Sequence, residues 1–491
     1  MGTKPDLPSV PGLDKLFIGG RWQDALGDAA VEVICPADEE LVATVADPGI
    51  ADADAAVAAA RKAFDEGPWP RMSVADRAAA CARVADAIEA RLDRLNIAWL
   101  LEAGAPMAHG EMINSGAGRM IWRNAIERAP QLAFEERRRS AMGEALILRE
   151  PIGTVLAVLT YNGPIVLMGM KVIPALLAGC PVIIKPAPES PLTSRILAEA
   201  FEEADLPEGV VSMLAAGTGV TQHLVEHPGV DMIALTGGTA IAIDVVRRSA
   251  GRLARTALEL GGKSPAIIAD DVPLDQVMAT LVDGATGFLG QVCVCLSRVL
   301  VSDRRHDEVV QAMADAYGRI RVGLPWDDVD RGPLAVERAR ERAERMVARA
   351  VQQGASVAAG GRRPAHMQRG WYYEPTLLTG VTNDMEIAQE EVFGPVTAVI
   401  RYRDMDDAVR IANDSKFGLA ASIYSADQSV SMDVARRLRS GGVAINAAGI
   451  SLTEPFGGVK QSGWGRECGD EGIFEFTDIK QVMLSGSYLN A

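Results

Sequence analysis

The chain has 491 residues, of which 48% are hydrophobic and 23% are charged, a balance that is typical of globular proteins. This length is too great for one ordinary hydrophobic core and predicts two or three domains. The formal net charge of −16 argues against nucleic acids and anionic membrane surfaces as partners.

Targeting and metal signals are weak throughout the chain. The start is polar and proline-rich, unlike a secretory signal. The longest apolar stretch, roughly 155–184, is interrupted by polar residues and prolines, whereas a membrane helix needs about 20 apolar residues. The six scattered cysteines do not indicate a disulfide framework, and neither Cys293-x-Cys295 nor the His223 and His227 pair has the further ligands of a zinc site. We therefore expect a cytoplasmic protein without a membrane partner or a bound metal.

The N-terminal part begins with short strands and turns over residues 16–46 and continues as helices. Asp52 is a predicted N-cap for an alanine-rich helix that reaches about Glu66. Ser73 and Asp76 resemble a capping box, which predicts a second, longer helix extending towards Glu102.

From Pro151 onward, apolar strands alternate with helices. This alternation predicts an α/β fold with a doubly wound parallel sheet, in which ligands bind at the carboxyl ends of the strands. A second α/β unit begins near Leu274. The predicted strands are Val155–Thr160, Val182–Lys185, Val210–Leu214, Met232–Thr236, Ala266–Ala269, Arg298–Ser302, Val396–Tyr402, Ala420–Tyr424 and Val443–Asn446, and the predicted helices of the first unit lie near Val166–Leu177, Leu192–Glu203 and Thr239–Ser249.

Two segments carry residues suited to covalent chemistry. Cys293 follows Gly290, where a substrate can approach the backbone closely, and a cysteine thiolate is a strong nucleophile. Glu259 lies between two leucines and is followed by a Gly-Gly turn. A carboxylate in such apolar surroundings can act as a general base near neutral pH. The pairing predicts attack on a carbonyl group followed by hydrolysis.

Seven distinctive segments follow one another along about the last two-thirds of the chain. They are Tyr161-Asn162-Gly163-Pro164, Lys185-Pro186-Ala187-Pro188-Glu189-Ser190-Pro191, Thr236-Gly237-Gly238-Thr239, the Glu259 segment, the Cys293 segment, Glu390-Glu391-Val392-Phe393-Gly394-Pro395, and Pro455 to Glu467. In this order they resemble the NAD(P)-dependent aldehyde dehydrogenase superfamily. The resemblance implies an aldehyde dehydrogenase-like fold with a Rossmann-like coenzyme domain, an α/β catalytic domain and a small oligomerisation element.

The resemblance also implies a catalytic cycle. Cys293 attacks the aldehyde, and the Asn162 amide and the Cys293 backbone N–H donate to the oxyanion of the thiohemiacetal. Hydride transfer to the nicotinamide leaves a thioester, which water activated by Glu259 hydrolyses to the carboxylic acid. Lys171 and Glu467 occupy positions that relay the proton in the family.

The cofactor residues implied by the resemblance are Tyr161, Lys185, Glu189, Gly217, Gly238, Thr239, Leu260, Glu391 and Phe393. Two departures from the family pattern bear on the cofactor. Ala242 replaces a glycine that commonly follows the Thr239 turn, and Pro188 holds the place of the ribose-binding carboxylate, which moves to Glu189. A carboxylate near the 2′-hydroxyl favours NAD and repels the phosphate of NADP. NAD is therefore the expected cofactor, with NADP as an open alternative.

The pocket residues indicate a small-molecule substrate of low polarity. Side chains expected to line it are apolar, which favours a hydrophobic aldehyde over a charged semialdehyde, and Gly163 would widen the tunnel. These side chains are Leu167, Met170, Val292, Val294, Ile450 and Phe456. Two alternatives stay open: a CoA-acylating semialdehyde dehydrogenase, against which the presence of Glu259 argues, and a non-catalytic crystallin-like member.

The resemblance further implies the domain boundaries and the assembly. Residues 1–128 and 150–260 form the expected coenzyme-binding domain, and residues 261–468 form the catalytic domain. Residues 129–149 and 469–491 form the oligomerisation element, whose strand edges are of the kind that another subunit covers. A homodimer or homotetramer is expected.

Overall fold

The computed structural model describes residues 2–141 and 143–484, apart from the side chain of Ser140. The strands are β1 (Lys15–Ile18), β2 (Arg21–Asp24), β3 (Ala30–Ile34), β4 (Leu41–Ala46), β5 (Glu135–Ser140), β6 (Gly143–Pro151), β7 (Val155–Val158), β8 (Val182–Lys185), β9 (Val211–Met213), β10 (Met232–Thr236), β11 (Arg255–Glu259), β12 (Pro265–Ile268), β13 (Arg298–Ser302), β14 (Ser356–Ala359), β15 (Thr376–Thr379), β16 (Val396–Tyr402), β17 (Ala420–Tyr424), β18 (Gly442–Ile445), β19 (Gly463–Trp464) and β20 (Thr477–Leu484).

The helices are α1 (Ile50–Asp65), α2 (Val74–Glu89), α3 (Leu92–Ala103), α4 (Met107–Gly110), α5 (Arg119–Arg128), α6 (Pro164–Ala178), α7 (Pro191–Glu203), α8 (Thr218–Glu226), α9 (Thr239–Ser249), α10 (Leu274–Thr286), α11 (His306–Tyr317), α12 (Glu337–Gln352), α13 (Glu386–Gln389), α14 (Met405–Asn413), α15 (Gln428–Arg437) and α16 (Gly469–Phe474). A π-helical segment, Glu111–Gly118, joins α4 to α5. In the part of the chain that the structure describes, no helix is both long and apolar enough to cross a membrane.

The first sheet has eight strands in the order β19-β11-β10-β7-β8-β9-β1-β2. Its five central strands, β11, β10, β7, β8 and β9, are parallel. The edge strand β19 and the strand β1 run antiparallel to them, and the other edge strand, β2, runs antiparallel to β1. Successive residues of a strand face opposite sides of a sheet. Accordingly Val155 and Ala157 pack towards α6 and α7, whereas Leu156 and Val158 pack towards α1 and α9.

The second sheet has seven strands in the order β14-β15-β16-β13-β12-β17-β18, all parallel except β14. Its two faces also carry separate apolar clusters, with Ile267 in one and Ile268 in the other. Both large sheets are therefore covered on two sides, and the predicted doubly wound α/β fold is confirmed.

A third, antiparallel sheet follows the order β20-β6-β5, with β20 paired to β6 along its whole length. It contains the strands of the predicted oligomerisation element, although residues 485–491 of that element lie outside the described residues. The domain limits stay a prediction. One short pairing crosses them, because β19, from the predicted catalytic segment, is the edge strand beside β11.

Two helix predictions are wrong in detail. The first helix starts one turn earlier than Asp52, with Gly49 as N-cap, and the Asp52 carboxylate accepts a hydrogen bond from the Gly49 N–H at 2.8 Å. The second helix does not run unbroken to Glu102, because α2 ends at Glu89 and α3 starts at Leu92. The predicted cap of α2 is present, with the Ser73 hydroxyl accepting from the Asp76 N–H at 3.1 Å.

Candidate active site

A cavity of about 200 Å³ lies at the carboxyl ends of β10 and β11, where the first sheet faces the second α/β unit. Seven predicted site residues line it: Asn162, Gly238, Glu259, Leu260, Cys293, Glu391 and Phe393. The lining is completed by Thr160, Thr236, Gly237, Gly261 and Arg342, which were not predicted as site residues. Residues from six separate segments of the chain thus meet at one end of the parallel strands, where α/β folds bind ligands.

Cys293 lies in the irregular loop between α10 and β13. Gly290 in this loop has φ +70° and passes so close to the Gly394 carbonyl that a Cβ atom would lie 2.2 Å from its oxygen. Gly262 allows a similar approach, because a Cβ there would lie 2.6 Å from the Cys293 carbonyl oxygen. The two glycines explain how the cysteine loop packs directly against the turn after Glu259.

The Cys293 side chain is partly exposed to the cavity. Burial raises the pKa of its thiol to about 12, and the negative charges of Glu391, Glu259 and Glu467 act in the same direction. The thiolate is the nucleophilic form, so the thiol must lose its proton before or during attack on a carbonyl.

Glu259 is the last residue of β11 and is only 5% exposed. Among the described residues, no hydrogen bond of good geometry reaches either carboxylate oxygen. Burial raises its pKa well above the ordinary value, the charge of Glu467 raises it further, and Lys171 opposes the shift. A carboxylate with this environment is suited to accept a proton near neutral pH.

Lys171 of α6 and Glu467 form a buried ion pair behind Glu259. The second carboxylate oxygen of Glu467 has no hydrogen-bond partner among the described residues. Glu467 is held by its backbone, which exchanges two hydrogen bonds of 2.7 Å with Phe456. The pair therefore lies close enough to Glu259 to influence its pKa.

Asn162 follows β7 in a turn that begins at Thr160. Its side-chain N–H donates to the Gln291 carbonyl at 2.9 Å, and its oxygen accepts from the Thr160 hydroxyl at 2.6 Å. These two bonds fix the orientation of the amide and leave its second N–H unused among the described residues. The amide can therefore donate to an anionic oxygen in the cavity.

Glu391 and Phe393 belong to the cavity wall beside the turn that follows Glu259. The Glu391 carboxylate accepts from the Gly262 N–H at 3.1 Å, and burial raises its pKa. Phe393 has φ +53° and contacts Tyr161 edge to face, with ring centroids 6.3 Å apart. Tyr161 does not line the catalytic cavity; it lines an adjacent one, which Phe393 and Arg342 share.

The remaining predicted cofactor residues lie along the carboxyl ends of the first sheet. Of Lys185, Glu189, Gly217 and Gly238, only Gly238 also lines the catalytic cavity. Lys185 is the last residue of β8, and burial lowers its pKa to about 8, against the opposing charge of Glu189. Glu189 forms an ion pair with Arg338 of α12. Gly217 and Gly238 precede α8 and α9 as N-caps.

These positions fit a dinucleotide. A Cβ atom added at Gly217 or Gly238 would meet no atom within 4 Å, and neither helix has a side-chain cap, so their first N–H groups can donate to phosphate. The buried Thr236 hydroxyl between them and Glu259 has no partner among the described residues. Ala242, which departs from the family pattern, is a buried residue of α9. The Thr239 hydroxyl donates to the Gln461 carbonyl at 3.2 Å.

Two residue pairs in the sequence resemble parts of a zinc site, namely Cys293 with Cys295 and His223 with His227. Across residues 2–141 and 143–484, no group of three or more His, Cys, Asp or Glu side chains has metal-binding geometry. His223 contacts Asp54 at 2.6 Å instead, and all six cysteines are free. Cys295 does not line the cavity; its thiol donates to the Ala285 carbonyl at 3.0 Å.

Sequence reasoning missed two residues at the site. Gln291 is fully buried, accepts from the Tyr161 hydroxyl and from the Ala335 N–H at 3.1 Å each, and presents its carbonyl to Asn162. A lone glutamine in the otherwise apolar cysteine segment was the available signal. Arg342 lines the cavity and donates to the Glu391 carbonyl. Arg342 reaches the cavity because α12 packs beside the loop that carries Glu391. The surrounding sequence is that of an ordinary charged helix and gives no signal of a site.

Comparisons with known proteins agree with this geometry. The model of the aldehyde dehydrogenase family matches residues 22–482. A geranial dehydrogenase of Castellaniella defragrans is 38% identical over 476 residues, which cover 96% of this chain and 98% of that protein. A putative aldehyde dehydrogenase of Staphylococcus aureus is 36% identical over 471 residues, covering 95% and 98%.

Solved structures show the same similarity. An aldehyde dehydrogenase of Mycobacterium tuberculosis, complexed with NAD+, superposes with a TM-score of 0.96 at 40% identity and covers 98% of this chain and 100% of its own. The betaine aldehyde dehydrogenase of Staphylococcus aureus, also with NAD+, gives 0.93 at 32% identity and covers 96% and 94%. On its fold, its cavity and these matches, the chain belongs to the aldehyde dehydrogenase family.

Proposed function

We propose that the protein oxidises a hydrophobic aldehyde to the carboxylic acid with NAD. The observation that carries the proposal is the meeting of Cys293, Glu259 and Asn162 in one cavity that Glu391 and Phe393 also line. A nucleophile, a base and an amide donor at the carboxyl ends of parallel strands are the groups that thioester chemistry requires.

Residues of both α/β units would hold NAD. Lys185 and Glu189 would contact the adenosine ribose, the N-terminal ends of α8 and α9 at Gly217 and Gly238 would face adenine and phosphate, and Glu391 would contact the nicotinamide ribose. Thr239 and Leu260 border the same path, and Phe393 and Tyr161 pack beside it. Bound NAD would supply the hydride acceptor that oxidation of the Cys293 adduct to a thioester requires.

The protein's own groups perform the remaining steps. The Cys293 thiol gives its proton to water as the sulfur–carbon bond forms, and the Asn162 amide with the Cys293 N–H stabilises the oxyanion, which typically lowers the barrier by about 3–4 kcal/mol per donor. Glu259 then takes a proton from water, which attacks the thioester and releases the acid and the Cys293 thiolate. Lys171 and Glu467 pass the proton onward from Glu259.

Apolar side chains that pack in the same cluster as Cys293 support an apolar aldehyde. The side chains predicted to line the pocket are not part of the lining of the catalytic cavity itself; they are Leu167, Met170, Val292, Val294, Ile450 and Phe456. Cys293, Val294 and Ile450 are partly buried and pack against the same cluster that contains Leu167 and Phe456. A Cβ at Gly163 would lie 3.5 Å from Val166 and 3.9 Å from Ile113, so a side chain there would narrow the space between two aliphatic walls. The geranial dehydrogenase relative is named for an apolar branched aldehyde, which agrees with this assignment.

The test is spectrophotometric production of NADH and NADPH with aliphatic, aromatic and terpenoid aldehydes, betaine aldehyde and succinic semialdehyde. Apolar aldehydes should give the highest kcat/KM, and the free acid should form without CoA. Faster turnover of succinic semialdehyde would contradict the substrate class. Turnover only with CoA would favour the acylating alternative, and no reduction of either cofactor would favour a non-catalytic member.

We further propose a cytoplasmic homodimer or homotetramer assembled through the third sheet. β20 is an edge strand with exposed apolar side chains, Ile479 and Met483, and such edges tend to be covered by another chain. Light scattering during size-exclusion chromatography measures the mass, and Ile479→Lys should shift it towards the monomer. A monomeric wild-type protein would contradict the assembly.

A further inference from the structure

Three arginines form a row on the outer face of α12, beside the proposed cofactor path. Arg338, Arg342 and Arg345 are spaced four and three residues apart, which places them on one side of a helix. They line a cavity of about 380 Å³ that also contacts Tyr161 and Phe393. The cavity adjoins the catalytic cavity, with which it shares Arg342 and Phe393.

Arg338 lies at the end of this row nearest the proposed ribose residues. Its guanidinium forms an ion pair with Glu189, although its side chain is 69% exposed and that of Glu189 is 17% exposed. An ion pair with so exposed a partner contributes little to stability, because solvent screens it and the long side chain loses freedom. The pair between Arg338 and Glu189 therefore adds little to the stability of the fold. Little free energy is lost when the guanidinium leaves the carboxylate to bind another anion.

The charges at this point favour a phosphate. Glu189 alone would repel a 2′-phosphate, but Arg338 and Lys185 set two cationic groups beside that single carboxylate. A guanidinium binds phosphate through two parallel hydrogen bonds, whereas a free carboxylate accepts only from a hydroxyl.

We propose that Arg338 is a specificity-determining residue that lets this protein accept NADP as well as NAD. With NADP, Arg338 turns from Glu189 to the 2′-phosphate; with NAD, the Glu189 carboxylate accepts from the 2′-hydroxyl. The inference rests on the proposed function, in which Lys185 and Glu189 face the adenosine ribose.

Calorimetric binding of 2′,5′-ADP and 5′-AMP tests the inference without any turnover. Wild-type protein should bind both. Arg338→Gln should raise the Kd for 2′,5′-ADP about tenfold or more, which is the usual effect of losing a hydrogen bond to a charged group, and should change the Kd for 5′-AMP little. Arg345→Gln is the matched control, since it removes an arginine from the same helix face and leaves the Glu189 pair intact. Equal weakening of both probes, no weakening, or wild-type protein that does not bind 2′,5′-ADP would overturn the inference.

Steady-state kinetics separates this inference from the proposed function. Arg338→Gln should lower kcat/KM for NADP relative to NAD, and Glu189→Gln should raise it. An active enzyme whose NADP to NAD ratio is the same in the wild type and Arg338→Gln would overturn the role of Arg338 alone. Absence of aldehyde-dependent reduction with either cofactor would contradict the proposed function, and the binding data would still decide the role of Arg338.

Discussion

Replacement of Glu259 by glutamine isolates the hydrolytic step. The two side chains have nearly the same size and shape, and no well-formed hydrogen bond reaches the Glu259 carboxylate among the described residues. The substitution therefore breaks no hydrogen bond there. Because burial raises the pKa of Glu259, the folded protein also gains nothing from its charge, and the variant should fold normally.

The kinetic effect should be large and confined to turnover. A positioned general base contributes about 10²- to 10⁴-fold, which corresponds to about 2.7–5.4 kcal/mol of barrier. Oxidation precedes hydrolysis, so Glu259→Gln should still form reduced cofactor in a burst equal to the number of active sites. The steady-state rate that follows should be lower by that factor.

Stopped-flow absorbance of the reduced cofactor measures both phases. Cys293→Ala is the control, since it lacks the nucleophile and should give neither burst nor turnover. Steady-state turnover of Glu259→Gln within about tenfold of the wild type would refute the assignment of the base, because the smallest expected effect is about a hundredfold. A folded variant without a burst would show that Glu259 is required before the thioester forms.

Three further predictions concern the surroundings of the reacting groups. Glu467→Gln removes a charge that raises the pKa of Glu259, so the acidic limb of the kcat–pH profile should move to lower pH, and Lys171→Met should move it to higher pH; equal profiles would contradict the coupling. Asn162→Ala should lower kcat/KM by about 10²- to 10³-fold in initial-rate assays, as for other oxyanion donors, whereas a tenfold loss would exclude that role. Gly163→Phe should reduce turnover of branched aldehydes more than that of acetaldehyde, and a uniform reduction would argue against a tunnel at this position.

Much of the α/β framework was predictable because buried parallel strands are short apolar runs bounded by turns. Met232–Thr236, Arg298–Ser302 and Ala420–Tyr424 coincide with observed strands. The errors fall where helices begin or end. The break between α2 and α3 lies at Ala90 and Arg91, and neither a glycine nor a proline marks it in the sequence. Asp52 resembles an N-cap because its carboxylate accepts a hydrogen bond from the Gly49 N–H, although Asp52 itself lies inside the helix.

The site was predictable where a reactive residue and its sequence neighbours together indicate a function, as at Cys293 and Glu259. The partners that hold these residues could not be predicted in the same way. Gln291 contacts Tyr161 and Ala335. Arg338 of the second α/β unit pairs with Glu189 of the first, so the roles of Gln291 and Arg338 depend on how distant segments pack together. Local sequence patterns carry no information on such long-range contacts.

The central claim, a thioester on Cys293 that Glu259 releases, is tested most directly by peptide mass spectrometry. Glu259→Gln protein is mixed with NAD and an apolar aldehyde, quenched in acid, digested and analysed. The account predicts the mass of the acyl group on the peptide that contains Cys293, fragmentation that assigns it to Cys293 rather than Cys295, and no adduct without NAD. An acyl group on Cys295, or no acyl peptide while the cofactor is reduced, would contradict the account.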